Sequence, residues 1–360
     1  MTKQSKRDSN FELLRIIAMF LICVFHYIFH GTQNPSIWHS GCHLQLIFTT
    51  IVLLGGKVGV QLFVFIGAYF LCAKTYASRR PLYLIFLSWL YSTGIFILLK
   101  MLCNNVVQGV SVKEAFFPVG IPSGYWFVST YIVMLLLMPA LNVIVNNVRQ
   151  KRLAQLIILG VTVSFLGGTF LTVYPKMDLP VGTLGTGSLV AFVIEYLTGA
   201  YVRKYGKYYS RTNIILFSIF LWGILGALFA YYTNAGGTAY AHLLIWVNND
   251  MSPLVYIVAV DIFLLFTYVH IPKLKIINYV SSLMFGVYLI SDNTFIRSIL
   301  WRSVNDARYH GIGLMEHCLI TSIVVFTGCA LIDAILRMIY RPIITTVSSK
   351  LGGFIDSYLR

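Results

Sequence analysis

The sequence predicts an all-α, polytopic membrane protein with about ten transmembrane helices in one bundle, and three observations carry that expectation. Its 360 residues are 58% apolar and only 11% charged, with a mean hydropathy of +0.78; a soluble domain of this length needs far more charge to cover its surface. The apolar residues fall in runs close to the length that a hydrocarbon core demands. The basic residues recur between every second pair of runs, with 19 Lys and Arg on the side of the N-terminus, six on the other, and Arg15 and Lys57 inside runs. By the positive-inside rule both termini are expected in the cytoplasm, with the chain in the plasma (inner) membrane.

The first span covers 11–30. Lys3, Lys6 and Arg7 precede it as they would a signal peptide. The run is longer than a signal core and lacks a small-residue cleavage pattern, so it reads as a retained helix. A polar loop leads to 44–54, read as an interfacial or broken helix because Gly55-Gly56-Lys57 interrupts the run before the second span, 57–73. Lys74, Arg79 and Arg80 close that span, and Pro81 opens the third, 82–102. A loop containing Phe116, Phe117, Pro118 and Pro122 leads to the fourth, 125–143, which Arg149, Lys151 and Arg152 follow. The fifth, 153–174, and the short sixth, 188–202, flank a Gly/Pro-rich loop; Arg203 and Lys204 end the sixth. The seventh is 213–232, and the eighth, 253–269, stops at His270, Pro272 and Lys273. The ninth, 276–291, and the tenth, 316–336, complete a single membrane domain. No segment between runs exceeds about 25 residues, too few for an independent soluble core.

The net charge of +15 is spread through these loops instead of forming one patch, so nucleic acid is not an expected partner. The six cysteines have no metal-ligand spacing; Cys42 and Cys103 fall on one side of the membrane, where a disulfide can form. His26 and His30, and His39 and His43, have the i, i+4 spacing of zinc ligands on a helix. The second pair lies in a loop and neither pair brackets a glutamate, so no metal site is expected.

The chemistry concentrates in the first span. Arg15 and His26 are eleven residues apart, close to three helical turns, so they share one face about 16 Å apart along the axis. Alone, Arg15 reads as a side chain snorkelling to headgroups, and His26 as a hydrogen-bond partner for a neighbouring helix. Together on one face they point to a polar cavity inside the bundle. Asp292, at the outer end of the ninth span, matches His26 in depth and is the candidate to orient its imidazole. Glu195 and Asp261 lie within spans and are expected to pair with Arg15, Lys57 or a polar wall. Lys57 either snorkels or lines the cavity. Asp333 and Arg337, four apart, read as an ordinary helix-end ion pair.

An Arg followed by a His in the first of many spans resembles the acyltransferase-3 family of bacterial membrane acyltransferases. Further patches agree in order and spacing over most of the chain: Gly59-Val60-Gln61-Leu62-Phe63 through Tyr69-Phe70, Tyr125-Trp126-Phe127 through Pro139-Ala140-Leu141-Asn142, and Phe285-Gly286-Val287-Tyr288-Leu289-Ile290. Two positions depart from the family pattern. Gly67-Ala68-Tyr69 stands where Ser-Gly-Tyr is usual, and Ser291 where a His is common.

The resemblance implies an O-acyltransferase with acyl-CoA, most often acetyl-CoA, as co-substrate, no bound cofactor, and a hydroxyl acceptor on a polysaccharide or lipid-linked glycan of the cell envelope. Arg15, with Arg79 and Arg80, is expected to hold the CoA phosphates at the cytoplasmic side. His26 is expected to activate the hydroxyl, its ordinary pKa of ~6.5 leaving it mostly neutral near pH 7. Asp292, Glu195, Asp261, Tyr69 and Trp126 are expected in support. The alternative is an exporter of a polysaccharide intermediate, which buried charges also suit. No inverted repeat is visible to favour it. A membrane scaffold or sensor leaves the alignment of Arg15 and His26 without a purpose.

Overall fold

The computed structural model describes residues 8–31, 41–103, 107, 112–120, 124–167, 169, 189–304 and 308–358. His39, Pro122, Lys3, Lys6 and Arg7, the end of the fifth predicted span and the Gly/Pro-rich loop after it lie outside those residues. The described chain is a bundle of helices: α1 (Ser9–His26), α2 (His43–Leu71), α3 (Arg79–Leu102), α4 (Val112–Phe116), α5 (Trp126–Asn147), α6 (Gln150–Gly160), α7 (Leu189–Tyr205), α8 (Arg211–Ala235), α9 (Gly237–Val247), α10 (Pro253–Thr267), α11 (Lys275–Ser291), α12 (Arg297–Arg302) and α13 (Gly311–Tyr358). Six of them, α1 with the wider turn that continues it, α2, α3, α5, α8 and α13, are long and apolar enough to cross a membrane. The predicted spans 153–174, 188–202, 253–269 and 276–291 fall on the shorter α6, α7, α10 and α11. The chain is a polytopic helical membrane protein.

The core forms around α1, which packs along α2, α11 and α13, while α2 also packs along α7. The expected break at Gly55-Gly56-Lys57 does not occur: α2 runs unbroken through it. The glycines serve contact. A Cβ at Gly56 would overlap the Phe25 ring, and one at Gly59 would strike the Ala18 carbonyl. Small residues let membrane helices approach this closely, and the contact offsets the poor intrinsic propensity of glycine. The turn from α8 to α9 uses Gly236 at φ +61°, a conformation side chains avoid. The eleven-residue α9 was not anticipated; its Tyr240 hydroxyl donates to the Leu46 carbonyl of α2 at 3.2 Å.

The last helix also departs from expectation. The tenth span was bounded at 336, yet α13 continues to Tyr358, 48 residues and about 72 Å at 1.5 Å per residue. That exceeds twice the ~30 Å hydrocarbon core, so its second half extends past the membrane. There it meets the start of α3: the Ser78 backbone N–H donates to the Asp356 carboxylate at 3.1 Å, satisfying a donor that the helix start leaves open. Asp333 is therefore mid-helix and not at a helix end. It is fully buried and accepts from Tyr91 at 2.5 Å, Tyr340 at 2.6 Å and Arg337 at 2.9 Å. Cys42 and Cys103, placed as a possible disulfide, are both exposed and are not joined to each other.

Candidate active site

α1 positions both candidate residues because its buried side chains lock it among three neighbours while one polar face stays open to cavities. His26 is the last residue of its α-helical part; Tyr27–Gly31 then continues as a π turn. Such widened turns recur at functional sites. Here the turn keeps His30 beside His26, with ring centroids 5.0 Å apart.

His26 opens on a cavity of about 590 Å³ whose walls include His30, Lys57, Trp126, Asp250, Tyr288, Asp292 and Arg297. Asp292, the residue capping the end of α11, is its electrostatic centre. One carboxylate oxygen lies 3.9 Å from His26 Nε2, 3.8 Å from His30 Nε2 and 3.1 Å from Arg297 Nη1. The two imidazoles are at ion-pair separation; only the Arg297 contact is within hydrogen-bond range. His26 Nδ1 is buried and has no hydrogen-bond partner among the described residues. Trp301 turns the edge of its ring to His26 at 6.0 Å and is itself held by its indole N–H donating to the Ser291 carbonyl at 3.1 Å. Lys57 neither snorkels away nor meets Glu195 or Asp261; it pairs with Asp250 at 3.0 Å and lies over Phe25 at 5.1 Å. The ligand-type atoms of His26, His30 and Asp292 lie within 4.8 Å of one another, a set able to hold a metal ion, but Arg297 already neutralises the carboxylate.

Arg15 opens on a second cavity, of about 620 Å³. Arg79 and Arg80 line it too, and so do Arg337 and Arg341 from the extended α13. Arg15 does not pair with Glu195. Its Nη1 donates to Glu12 at 2.6 Å, one turn back, and the same carboxylate accepts from Ser281. Three helices thus bring five guanidinium groups to one concavity, an arrangement suited to a ligand carrying several phosphates.

Of the other candidates, Asp261, Glu195 and Tyr69 lie outside both cavities. Asp261 is fully buried and accepts from Ser218 at 2.6 Å and from the Trp222 indole N–H at 3.1 Å, so it pins α10 to α8 instead of pairing with Arg15 or Lys57. Glu195 is buried on α7, and one of its carboxylate oxygens has no hydrogen-bond partner among the described residues. Tyr69 packs on Phe11 at 4.6 Å and lies under the Arg203 guanidinium at 4.7 Å. Trp126 does line the His26 cavity.

Residues of the site that were not singled out from sequence are His30 as a site residue, Arg297, Asp250, Arg337 and Arg341. His30 had a signal, its position one turn beyond His26. The arginines of α13 had none beyond their charge, because nothing in a local window says how far the helix continues.

A bundle of apolar helices with a cationic cavity and an imidazole–carboxylate cavity on one central helix defines a polytopic membrane protein with two internal polar cavities. The family model described as an acyltransferase domain, acyltransferase-3, matches residues 8–334, and the chain belongs to that family. It is an integral-membrane acyltransferase. No curated protein and no solved structure matches it.

The two departures from the family pattern now have structural settings. At Gly67, where the serine is usual, an added Cβ would overlap the Tyr131 hydroxyl, so a tyrosine from α5 fills that volume. Ser291, where a histidine is common, is fully buried, and the second imidazole of the cavity is His30.

Proposed function

We propose that the chain, acting as one membrane domain, is an O-acyltransferase that moves an acyl group, acetyl in the first instance, from cytoplasmic acyl-CoA to a hydroxyl of a cell-envelope or exported polysaccharide. One observation carries the reading: the cationic cavity at Arg15 and the imidazole cavity at His26 share three wall residues, Phe63, Phe127 and Phe285, and so abut inside the bundle. CoA has several phosphates that cannot enter a bilayer and a long thin arm that can. Its phosphates belong with Arg15, Arg79 and Arg80, with Arg337 and Arg341 beside them, and its thioester near His26.

The reaction then follows from the residues present. The acceptor hydroxyl oxygen attacks the thioester carbonyl as His26 takes its proton. Asp292 favours the imidazolium that forms. The tetrahedral intermediate collapses, the carbon–sulfur bond breaks, and the imidazolium returns the proton to the sulfur, leaving an ester and free CoA. No proton is gained or lost overall. On this reading the Arg15 end of the bundle faces the cytoplasm, as the charge asymmetry of the loops requires.

The test is transfer of label from [acetyl-labelled] acetyl-CoA to de-O-acylated envelope polysaccharide by the purified protein in liposomes. Alkali-labile label in the polymer is expected. A folded protein that binds the polymer and carries it across the vesicle without labelling it would replace the enzyme by an exporter. Orientation is checked in protein whose six native cysteines are replaced by Ser, with Lys207→Cys at the Arg15 end or Lys113→Cys at the other: an impermeant thiol reagent on intact cells should label only the second.

A further inference from the structure

The two cavities meet at a partition of three rings, one from each of three helices. Phe63 comes from α2, Phe127 from α5 and Phe285 from α11, and each is half-buried with a face toward both cavities. Their depth follows from the packing of α2 on α1. Gly59 lies against Ala18 and Ile22, between Arg15 and His26, and Phe63 is one turn further toward Arg15.

The three rings are held unequally. Phe127 is packed by Tyr131 at 5.7 Å, Phe192 at 5.5 Å, Tyr288 at 5.8 Å and Trp126 at 6.1 Å. Among the described residues Phe63 has one ring neighbour, Phe127, edge to face at 6.3 Å, and Phe285 has one, Tyr288, at 6.3 Å. The Phe63–Phe127 pair is in aromatic contact range and admits no chain between its members. Whatever joins the cavities passes between that pair and Phe285, whose ring alone among the three touches neither of the other two in ring contact.

We infer that Phe63, Phe127 and Phe285 form the aperture through which the acyl end of the donor reaches His26, and that its width selects acyl groups by cross-section. This rests on the acyl-CoA reading above. The acyl group leads the arm, so it is the first part to pass the rings. An unbranched acyl group is no wider than the methylene chain behind it, whereas one branched beside the carbonyl, such as isobutyryl, is wider. Closed, the same rings keep the two polar cavities from joining into a water-filled path across the bilayer.

The experiment compares kcat/KM for acetyl-CoA and isobutyryl-CoA in the transfer assay above, for wild type, Phe285→Ala and Phe285→Trp, with CoA binding measured calorimetrically. Phe285→Ala should raise the isobutyryl-to-acetyl ratio by about tenfold or more, the scale on which one methylene is discriminated in an apolar site. Phe285→Trp should depress transfer from both donors while CoA binds as in wild type. If Phe285→Ala does not fold, Phe63→Leu replaces it with the same expected direction. A ratio unchanged in the folded variants, in a preparation whose wild type transfers acetyl, overturns the aperture and leaves the acyltransferase reading standing. Loss of CoA binding in Phe285→Trp overturns it as well, by making the ring part of the donor site. A wild type that transfers from neither donor overturns the acyl-CoA reading and the aperture with it.

Discussion

The two cavities are nearly equal in size, about 590 and 620 Å³, and opposite in their electrostatics. At the His26 end each charge has its opposite at short range: Asp292 with Arg297 at 3.1 Å, and Lys57 with Asp250 at 3.0 Å. At the Arg15 end five arginines line the wall against two carboxylates, Glu12 on Arg15 and Asp333 on Arg337. A cavity with balanced charges costs little to bury and can hold a neutral imidazole ready to accept a proton. A cavity with a surplus of guanidinium groups is stabilised when a polyanion arrives. The molecule divides recognition from chemistry along one helix.

The comparison breaks most sharply at His26. In the transfer assay His26→Ala should lower kcat by about 10²–10⁴-fold, the usual contribution of a positioned base, with CoA affinity unchanged. His26→Gln preserves a hydrogen-bonding side chain but cannot take the proton, and should be as slow. Near-normal transfer by folded His26→Gln would make the imidazole a structural partner and move the search for a base to His30 and Asp292. Arg15 should behave in the opposite way. Arg15→Ala should weaken CoA binding by about 10–100-fold, the value of hydrogen bonds to a charged group, while kcat at saturating donor changes little. Arg15→Lys should lose less, since the ammonium keeps the charge without the bidentate fork. Calorimetry with CoA separates these cases, and unchanged affinity in Arg15→Ala would leave Arg15 as no more than the partner of Glu12.

How much of this was legible in the sequence depends on whether a residue's partner lies on its own helix. Arg15 and His26 share a face by periodicity alone, so their alignment was readable. Asp292 was readable by depth. Its joint contact with His30 and Arg297 was not, since it arises only where the end of α1, the end of α11 and the short α12 converge. Gly55 and Gly56 misled for a physical reason. A glycine pair reads as a helix break in isolation, while in a membrane bundle it marks where another helix comes close, here α1 through Phe25 and Leu21. Arg337 read as half of a helix-end ion pair, and Arg341 only as one of the basic residues beyond the last span, because the apolar run ends near them although the helix does not. Asp333 had the spacing of a helix-end ion pair, and only its burial against Gly286, Tyr91 and Tyr340 reveals a structural centre.

Asp261 provides the control that sharpens the contrast, with the smallest expected effect on catalysis. Its two carboxylate oxygens serve two donors, the Ser218 hydroxyl and the Trp222 indole N–H, and none of the three residues lines either cavity. Asn at this position keeps an acceptor oxygen for the Trp222 N–H and turns its amide N–H₂ to the Ser218 hydroxyl, which accepts and sends its own proton to the Ile214 carbonyl at 2.9 Å, so two hydrogen bonds to a carboxylate become weaker amide ones. That should cost about 1–3 kcal/mol of stability, read as a lower unfolding temperature in detergent. Per folded molecule, Asp261→Asn should match wild type both in CoA affinity and in kcat, because Asp261 lines neither cavity. A selective loss of kcat in well-folded Asp261→Asn would show that the α8–α10 contact sets the geometry at His26. The division between a scaffold and two cavities would then be drawn in the wrong place.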